Sequence, residues 1–255
     1  ALDTSFGMQG IFELPSDVHG TRNLASSVVL DSDGRIVVSG ASGEHQIVLR
    51  LLADGTLDAS FGVSGVFTGP LQEFESRSFI ERTAAGYRVS TTGASRCQIV
   101  ALTANGAIDD TFGAGGVALI QTPQGEATAC SAMASQSDGA LLVSGTANEQ
   151  PFVTRMLATG APDPAFPAVA AADAMYEATA VAVDEGGRIL VAGYGEPGLM
   201  IKRLDADGGL DATFGEAGTT LIDLPSDYGL QTRINALNVA PDDRLLAAGG
   251  YSYYG

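Results

Sequence analysis

The sequence predicts an all-β protein: a five-bladed β-propeller of four-stranded antiparallel blades whose ring is closed by the N-terminal strand. Three observations lead to this prediction, namely a motif that recurs five times, strand phrases that recur between its copies, and the shortness of the apolar runs. The 255-residue chain also contains 33 glycines and no tryptophan. Short apolar runs that end in turn residues are typical of strands.

The recurring motif reads LDxxFGxxG, and a degraded copy, APDPAFP, occupies residues 161–167. Successive copies lie about 50 residues apart, which is the length of one four-stranded propeller blade. In the degraded copy, prolines flank the aspartate, and proline instead of glycine follows the phenylalanine. Because proline cannot donate a hydrogen bond to a neighbouring strand, we expect the outer strand of that blade to be distorted or missing.

Two further phrases recur between the copies of the motif. The first is a pair of apolar strands joined by a turn of Asp and Gly, which tolerate the positive φ of tight hairpins. It occupies residues 28–40, 80–93, 133–145, 181–193 and 238–250. The second is a strand closed by a turn, at residues 46–55, 98–106, 152–160 and 199–208. With a short strand after each motif, such as residues 65–68 or 219–222, each unit has four strands.

We therefore expect one β-propeller domain over residues 1–255, and the alternative is a linear β-solenoid. An outer strand at residues 10–14 is expected to enter the last blade and so hide sheet edges. Residues 251–255 are expected to begin the third strand of that blade. The blades are placed at approximately 24–68, 77–121, 127–170, 178–223, and 232–255 completed by 2–14.

With these motifs, the sequence resembles the bacterial delta-60 β-propeller repeat family, and its organisation is similar to that of NHL-type propellers. The resemblance covers essentially the whole chain. It implies the fold and an extracytoplasmic setting, which is to say periplasmic, secreted or on the cell surface. It implies no activity, because these repeats occur in large exported or surface proteins with no assigned reaction.

The charge of the chain bears on its partners. Net charge is −17, with only 13 Lys and Arg residues spread along the sequence. Nucleic-acid binders carry basic patches for phosphate, so we expect no nucleic-acid partner. No apolar run reaches the length of a membrane span, so we expect no membrane insertion. The acidic charge favours solubility, or the recruitment of cations and cationic partners.

The sequence shows no recognisable catalytic residues, so the favoured expectation is that the chain is not an enzyme. The loops that enter the inner strands vary most between units, and loops carry function on rigid scaffolds. The favoured function is therefore a non-catalytic binding or scaffolding propeller with a protein or glycan ligand. A hydrolase or lyase that uses loop carboxylates is one alternative, and a purely structural surface repeat is the other. The predicted ligand-binding face comprises His19, Arg22, His45, Glu75, Arg77, Arg96, Tyr176, Tyr194, Tyr228 and Arg233.

No cofactor is expected, except that one acidic turn resembles a calcium loop. Asp205, Asp207 and Asp211 alternate along it as oxygen ligands do in such loops. The alternative is that the motif aspartates accept hydrogen bonds from the turn that follows them. The other copies of the turn lack the first carboxylate, and the favoured expectation is that no ion binds.

Three further side-chain roles follow from the repeat. The motif phenylalanines are expected to fill the space between blades, and the arginines of the third strand are expected to pair with the motif aspartate. Ala101 stands where that arginine is expected in the second unit, although Asp109 is retained. A disulfide between Cys97 and Cys130 is conceivable in neighbouring blades, and two buried free thiols are the alternative. The arginines are Arg50, Arg155 and Arg203.

Overall fold

The computed structural model describes residues 1–14, 23–71, 77–93, 96–122, 125–127, 129–167, 175–196, 198–222, 231–240 and 242–252. Within these ranges every regular element is a β-strand, and all of the strand pairs are antiparallel. The predicted all-β class is therefore confirmed. The chain divides into two compact units, Ala1–Leu119 and Ile120–Gly255.

The first unit contains two four-stranded sheets, here called blades one and two. In blade one, the strands pair in chain order: β1 (Asn23–Leu30), β2 (Ile36–Ser42), β3 (His45–Leu51) and β4 (Val66–Leu71). Blade two has the same order: β5 (Ile80–Arg82), β6 (Gly86–Gly93), β7 (Arg96–Thr103) and β8 (Val117–Leu119).

The second unit contains blades three, four and five. It opens with a small hairpin of β9 (Gln121–Thr122) and β10 (Gly125–Glu126). Blade three comprises β11 (Ala129–Ser135), β12 (Leu141–Ala147) and β13 (Gln150–Met156). Blade four comprises β14 (Met175–Val183), β15 (Ile189–Gly195), β16 (Leu199–Leu204) and β17 (Thr219–Ile222). Blade five comprises β18 (Gln231–Val239) and β19 (Leu245–Ser252).

The strand pairing can be compared with three expectations about outer strands. Residues 10–14 pair with no sheet strand; Ile11 only bridges back to its own turn. Tyr251 and Ser252 do not begin a third strand, because the pairing of β18 with β19 extends to Ser252. In blade three, the described residues form three strands, and Pro162 makes only an isolated bridge, as the prolines predict. Residues 168–174 lie outside the described part of the chain.

The hairpin between the first two strands of blade one contains two backbone constraints that explain its sequence. Gly34, in the first such turn, has φ +84°, which is the left-handed conformation that glycine adopts without strain. At the far end of β2, a Cβ on Gly40 would lie 1.8 Å from the carbonyl oxygen of Leu24. Glycine is therefore required where the bulged inner strand crosses the second strand.

Alternating side chains bury both faces of the central sheets. Val37 and Val48 face blade two, where they pack with Tyr87 and Val89. In the second unit, blade four packs against blade three through one face and against blade five through the other. The core of each unit is thus built from apolar layers between successive blades.

Candidate functional site

The repeated motif forms a polar and aromatic contact that joins one blade to the next. In blade one, Arg50 Nε lies 2.8 Å from Asp58 Oδ2, and the guanidinium carbon lies 4.9 Å from the centre of the Phe61 ring. Arg50 Nη1 also donates a hydrogen bond to the carbonyl oxygen of Ala104, in blade two, at 2.6 Å. All three side chains are buried or nearly so, and the arginine binds both blades.

The same contact recurs in the second unit. Arg155 Nε lies 2.7 Å from Asp163 Oδ2 in blade three, and its Nη1 donates to the carbonyl oxygen of Ala206, in blade four, at 2.6 Å. Arg203 pairs with Asp211 at 2.7 Å. The predicted pairing of the strand arginines with the motif aspartates is confirmed. It survives in blade three even though the motif there is degraded.

Blade two makes this contact with a different arginine. Arg88, on β6, lies directly opposite Ala101 on β7. Its Nη2 atom lies 3.3 Å from Asp109 Oδ2, and its guanidinium carbon lies 4.4 Å from the centre of the Phe112 ring. In the other blades the cross-strand partner of the arginine is apolar, as Val37 is opposite Arg50. The arginine and its apolar neighbour have therefore exchanged strands.

The motif phenylalanine explains a glycine in the following blade. A Cβ on Gly106, in blade two, would lie 2.8 Å from the Phe61 ring, and a Cβ on Gly208, in blade four, would lie 2.8 Å from the Phe166 ring. Phe61 and Phe166 are buried, as predicted for residues that fill the space between blades. The residues that recur in every copy thus hold neighbouring blades together. Residues that differ between copies are the better candidates for ligand binding.

The motif aspartates also cap their own turns. Asp109 accepts hydrogen bonds from the hydroxyl of Thr111 and, at 3.3 Å, from its backbone N–H. Hydrogen bonding by the Thr111 side chain is the main cause that lowers the pKa of Asp109, and the charge of Arg88 lowers it further. Asp211 has the same arrangement with Thr213, whose hydroxyl is the main cause of its lowered pKa. The predicted local hydrogen bonding of these aspartates is confirmed.

A cluster of non-repeated side chains lies at the loop ends of blades four and five. The rings of Tyr176 and Tyr194 meet edge to face, with centroids 6.1 Å apart. The Arg233 guanidinium carbon, from blade five, lies 5.9 Å from the centre of the Tyr194 ring. Arg233 Nη2 is 2.7 Å from Glu177 Oε2. We call these four residues the tyrosine–arginine cluster.

The sheet register shows how the cluster is assembled. Glu177 pairs with Tyr194 across β14 and β15, and a bulge just before Glu177 leaves Tyr176 without a cross-strand partner. Bulges of this kind redirect a side chain, and Tyr176 is 56% exposed. Arg233 occupies the position of Glu177 in the next blade, opposite Gly250. In blade three the corresponding pair is Ala129 and Thr146, so the cluster is a departure from the repeat.

The structure thus brings together three of the predicted face residues, Tyr176, Tyr194 and Arg233. Glu177 was missed, because one carboxylate among 30 acidic residues carries no sequence signal. In the first unit, His45 and Arg96 each begin the third strand of their blade, and Arg77 precedes β5. The other predicted face residues, His19, Arg22, Glu75 and Tyr228, lie outside the described residues.

The predicted calcium turn has its carboxylates engaged locally. Asp205 Oδ1 accepts hydrogen bonds from the backbone N–H groups of Asp207, at 3.0 Å, and Gly209, at 2.8 Å. Asp211 is paired with Arg203. Within the described ranges, no group of three His, Cys, Asp or Glu side chains is placed to hold a metal ion. The calcium site stays a prediction, with nothing in this geometry to favour it.

The two cysteines are buried, Cys97 in the first unit and Cys130 in the second. Neither is a free thiol. The alternative of two buried free thiols is therefore wrong, and the pairing of Cys97 with Cys130 stays a prediction.

Comparison with known proteins bears on the fold. Residues 32–61 and 187–214, which include strands of blades one and four, match the family described as a domain of unknown function (DUF5122) β-propeller. The chain has a β-propeller fold. The two matched segments cover less than half of the chain. No curated protein has a significantly similar sequence.

Solved propeller structures are similar in fold at low sequence identity. A Lactobacillus plantarum protein is 11% identical with a TM-score of 0.56 over 89% of this chain, which spans 64% of that protein's length. A catalytically inactive virginiamycin B lyase from Staphylococcus aureus, with quinupristin, is 12% identical with a TM-score of 0.53, covering 88% of this chain and 77% of the lyase. YCF48 bound to a D1 peptide is 13% identical with a TM-score of 0.50, covering 94% of this chain and 64% of that one.

Within the described residues, no helix is long and apolar enough to span a membrane.

Proposed function

We propose that this propeller is a non-catalytic binding module of an exported or surface protein, and that its ligand binds at the tyrosine–arginine cluster. The observation that carries the proposal is the departure of this cluster from the repeat. The residues that recur are accounted for by contacts between blades. The cluster residues replace smaller ones at the loop ends, as Glu177 and Tyr194 stand where blade three has Ala129 and Thr146.

The composition and exposure of the cluster support the same function. Tyrosine and arginine are enriched in the energetic centres of binding interfaces, because they offer large contact areas together with hydrogen-bond donors. Tyr176 and Arg233 are both exposed, while their contacts with Tyr194 and Glu177 hold them in place. Side chains that are both accessible and pre-organised lose little conformational entropy on binding.

We further propose that the propeller has five blades and is closed, because apolar side chains are exposed on blades one and five. On blade one, the face opposite to blade two carries Val28 and Leu30, which are 60% and 66% exposed. The corresponding Val181 of blade four is only 5% exposed, because blade three packs against it. Phe12 and Leu14 of the N-terminal segment pack on the outer part of this face of blade one, next to β3.

Blade five also has an exposed apolar residue on one of its faces. Its described strands are the two inner ones, and Leu246 on its free face is 61% exposed. In blade three the residue at the same register, Leu142, packs against blade four. We infer that blade five supplies the inner strands, and the N-terminal segment the outer one, of the layer that covers blade one.

A charge placed on this face tests the closure. Val28→Asp is expected to lower the free energy of unfolding by at least about 2 kcal/mol, because it would bury an unpaired carboxylate. Val63→Asp, at an exposed apolar position of the blade-one motif turn, is the matched control and should be nearly neutral. Equal, small effects would show that nothing covers blade one. A large effect in a protein that sediments as a dimer would assign the cover to a second copy.

The binding function is tested on a peptide and glycan array with the purified chain. We expect ligands whose signal is lost in Tyr176→Ala but retained in Leu221→Ala, an exposed apolar change on β17 of the same blade. Array ligands that bind both variants equally would contradict the site. Turnover of a bound ligand would instead support the hydrolase or lyase alternative, and the absence of any ligand would support a structural repeat.

A further inference from the structure

We propose that the tyrosine–arginine cluster binds a positively charged group of a basic peptide, by the faces of its two tyrosine rings. This inference rests on the proposed function, since it names the ligand class for the same site. A cation above a tyrosine ring is attracted by the negative face of the π system.

The cluster already holds one cation in this way. The guanidinium of Arg233 reaches across from blade five to lie 5.9 Å from the centre of the Tyr194 ring. The ring of Tyr194 therefore accepts a guanidinium that comes from outside its own blade. Tyr176 adds a second ring, which is more than half exposed and is held edge to face against the first.

The charges around the rings favour a cation over an anion. Arg233 is paired with Glu177 at 2.7 Å, so its positive charge is compensated within the cluster. The chain as a whole carries a net charge of −17, which attracts cationic partners and repels anionic ones at long range. Arg233 therefore acts as an internal competitor: it occupies the ring and the carboxylate that an incoming cation would use.

If Arg233 competes with a bound cation, its removal should strengthen cation binding. At an anion-binding site, removal of Arg233 would instead weaken binding. With a labelled arginine-rich peptide as the probe, Arg233→Ala should strengthen binding to the chain, because it frees Tyr194 and Glu177. Tyr176→Ala should weaken binding about two- to fivefold, while Tyr176→Phe should retain it, since the ring and not the hydroxyl makes the contact. The measurement is fluorescence anisotropy at physiological salt, with thermal melts to show that each variant is folded.

Two controls separate the cluster from the general attraction of an acidic protein. The same peptide with citrulline in place of arginine keeps the shape and some of the N–H donors but loses the charge, and it should bind more weakly. Leu221→Ala should leave the affinity for the arginine peptide unchanged.

The outcomes distinguish the ligand class from the site. Arginine and citrulline peptides of equal affinity, or weaker binding by Arg233→Ala, would overturn the assignment of a cation. A neutral oligosaccharide that requires Tyr176 would overturn the ligand class while the site stands. If neither this peptide nor any array ligand depends on Tyr176, both the cation assignment and the proposed function are wrong.

Discussion

Arg88 on β6 lies directly opposite Ala101 on β7, whereas in blade one the arginine is on the third strand, with Arg50 opposite Val37. Both arginines contact the aspartate of their own motif. The guanidinium reaches the motif aspartate from either strand, since cross-strand partners have side chains close together on one face of the sheet. What the repeat maintains is a guanidinium at one point in space between the aspartate and the phenylalanine.

Moving the arginine back to β7 should therefore restore the contact. Arg88→Val alone is expected to lower the free energy of unfolding by about 2 kcal/mol, because Asp109 loses its buried partner. The double variant Arg88→Val/Ala101→Arg should regain most of that loss. Urea unfolding of the single and double variants gives the coupling energy, expected to exceed about 1 kcal/mol. Additive effects would show that the two positions are not interchangeable.

The close contact between the motif of one blade and a glycine of the next can be tested with two alanine substitutions. Gly106 and Gly34 have similar positive φ values of +78° and +84°, but only at Gly106 does a Cβ meet the Phe61 ring. Gly34→Ala should cost about 1 kcal/mol from backbone strain alone. Gly106→Ala should cost at least about 2 kcal/mol more, because its Cβ would lie 2.8 Å from both the Phe61 ring and the backbone nitrogen of Gly62. Equal losses in chemical unfolding would contradict the contact.

Acid should weaken the motif contacts. Because the pKa of Asp109 is lowered in the folded protein, its contribution to stability is present above the usual aspartate pKa of about 4 and is lost as pH falls through the lower folded value. Asp109→Asn should therefore show a smaller loss of stability than the wild type below about pH 4. Asp110→Asn, an exposed neighbour with the same change in charge, should retain the wild-type pH dependence in urea melts. Parallel curves for all three proteins would refute the role of Asp109.

Much of the fold was predictable, because the same motif occurs five times in the sequence. Turn glycines, alternating strands and the pairing of Arg50 with Asp58 follow from local sequence and from the spacing of the copies. The role of Arg88 was not predictable. Nothing in the local sequence indicates that an arginine on β6 replaces the one that is missing from β7. Residues 251–252 were misjudged, because pairing at the end of a sheet depends on partner strands that the local sequence does not specify. The entry of residues 10–14 into the last blade stays a prediction.

The candidate site was predictable only in part. Variable loops indicated Tyr176, Tyr194 and Arg233 as surface residues, but their contact depends on a bulge in β14 and on the closeness of two blades. Neither feature has a sequence signature. Glu177 becomes visible only when the ion pair with Arg233 is seen.

The central claim is that repeated residues hold the blades together and that departures from the repeat bind the ligand. It is tested most directly by measuring thermal stability and array binding side by side for Arg155→Met and Tyr176→Ala. Arg155→Met should lower the melting temperature by several degrees while the bound ligands stay the same, because it removes the contacts with Asp163 and Ala206. Tyr176→Ala should melt with the wild type and lose those ligands. The reverse pattern, or a loss of both properties in both variants, would contradict the account.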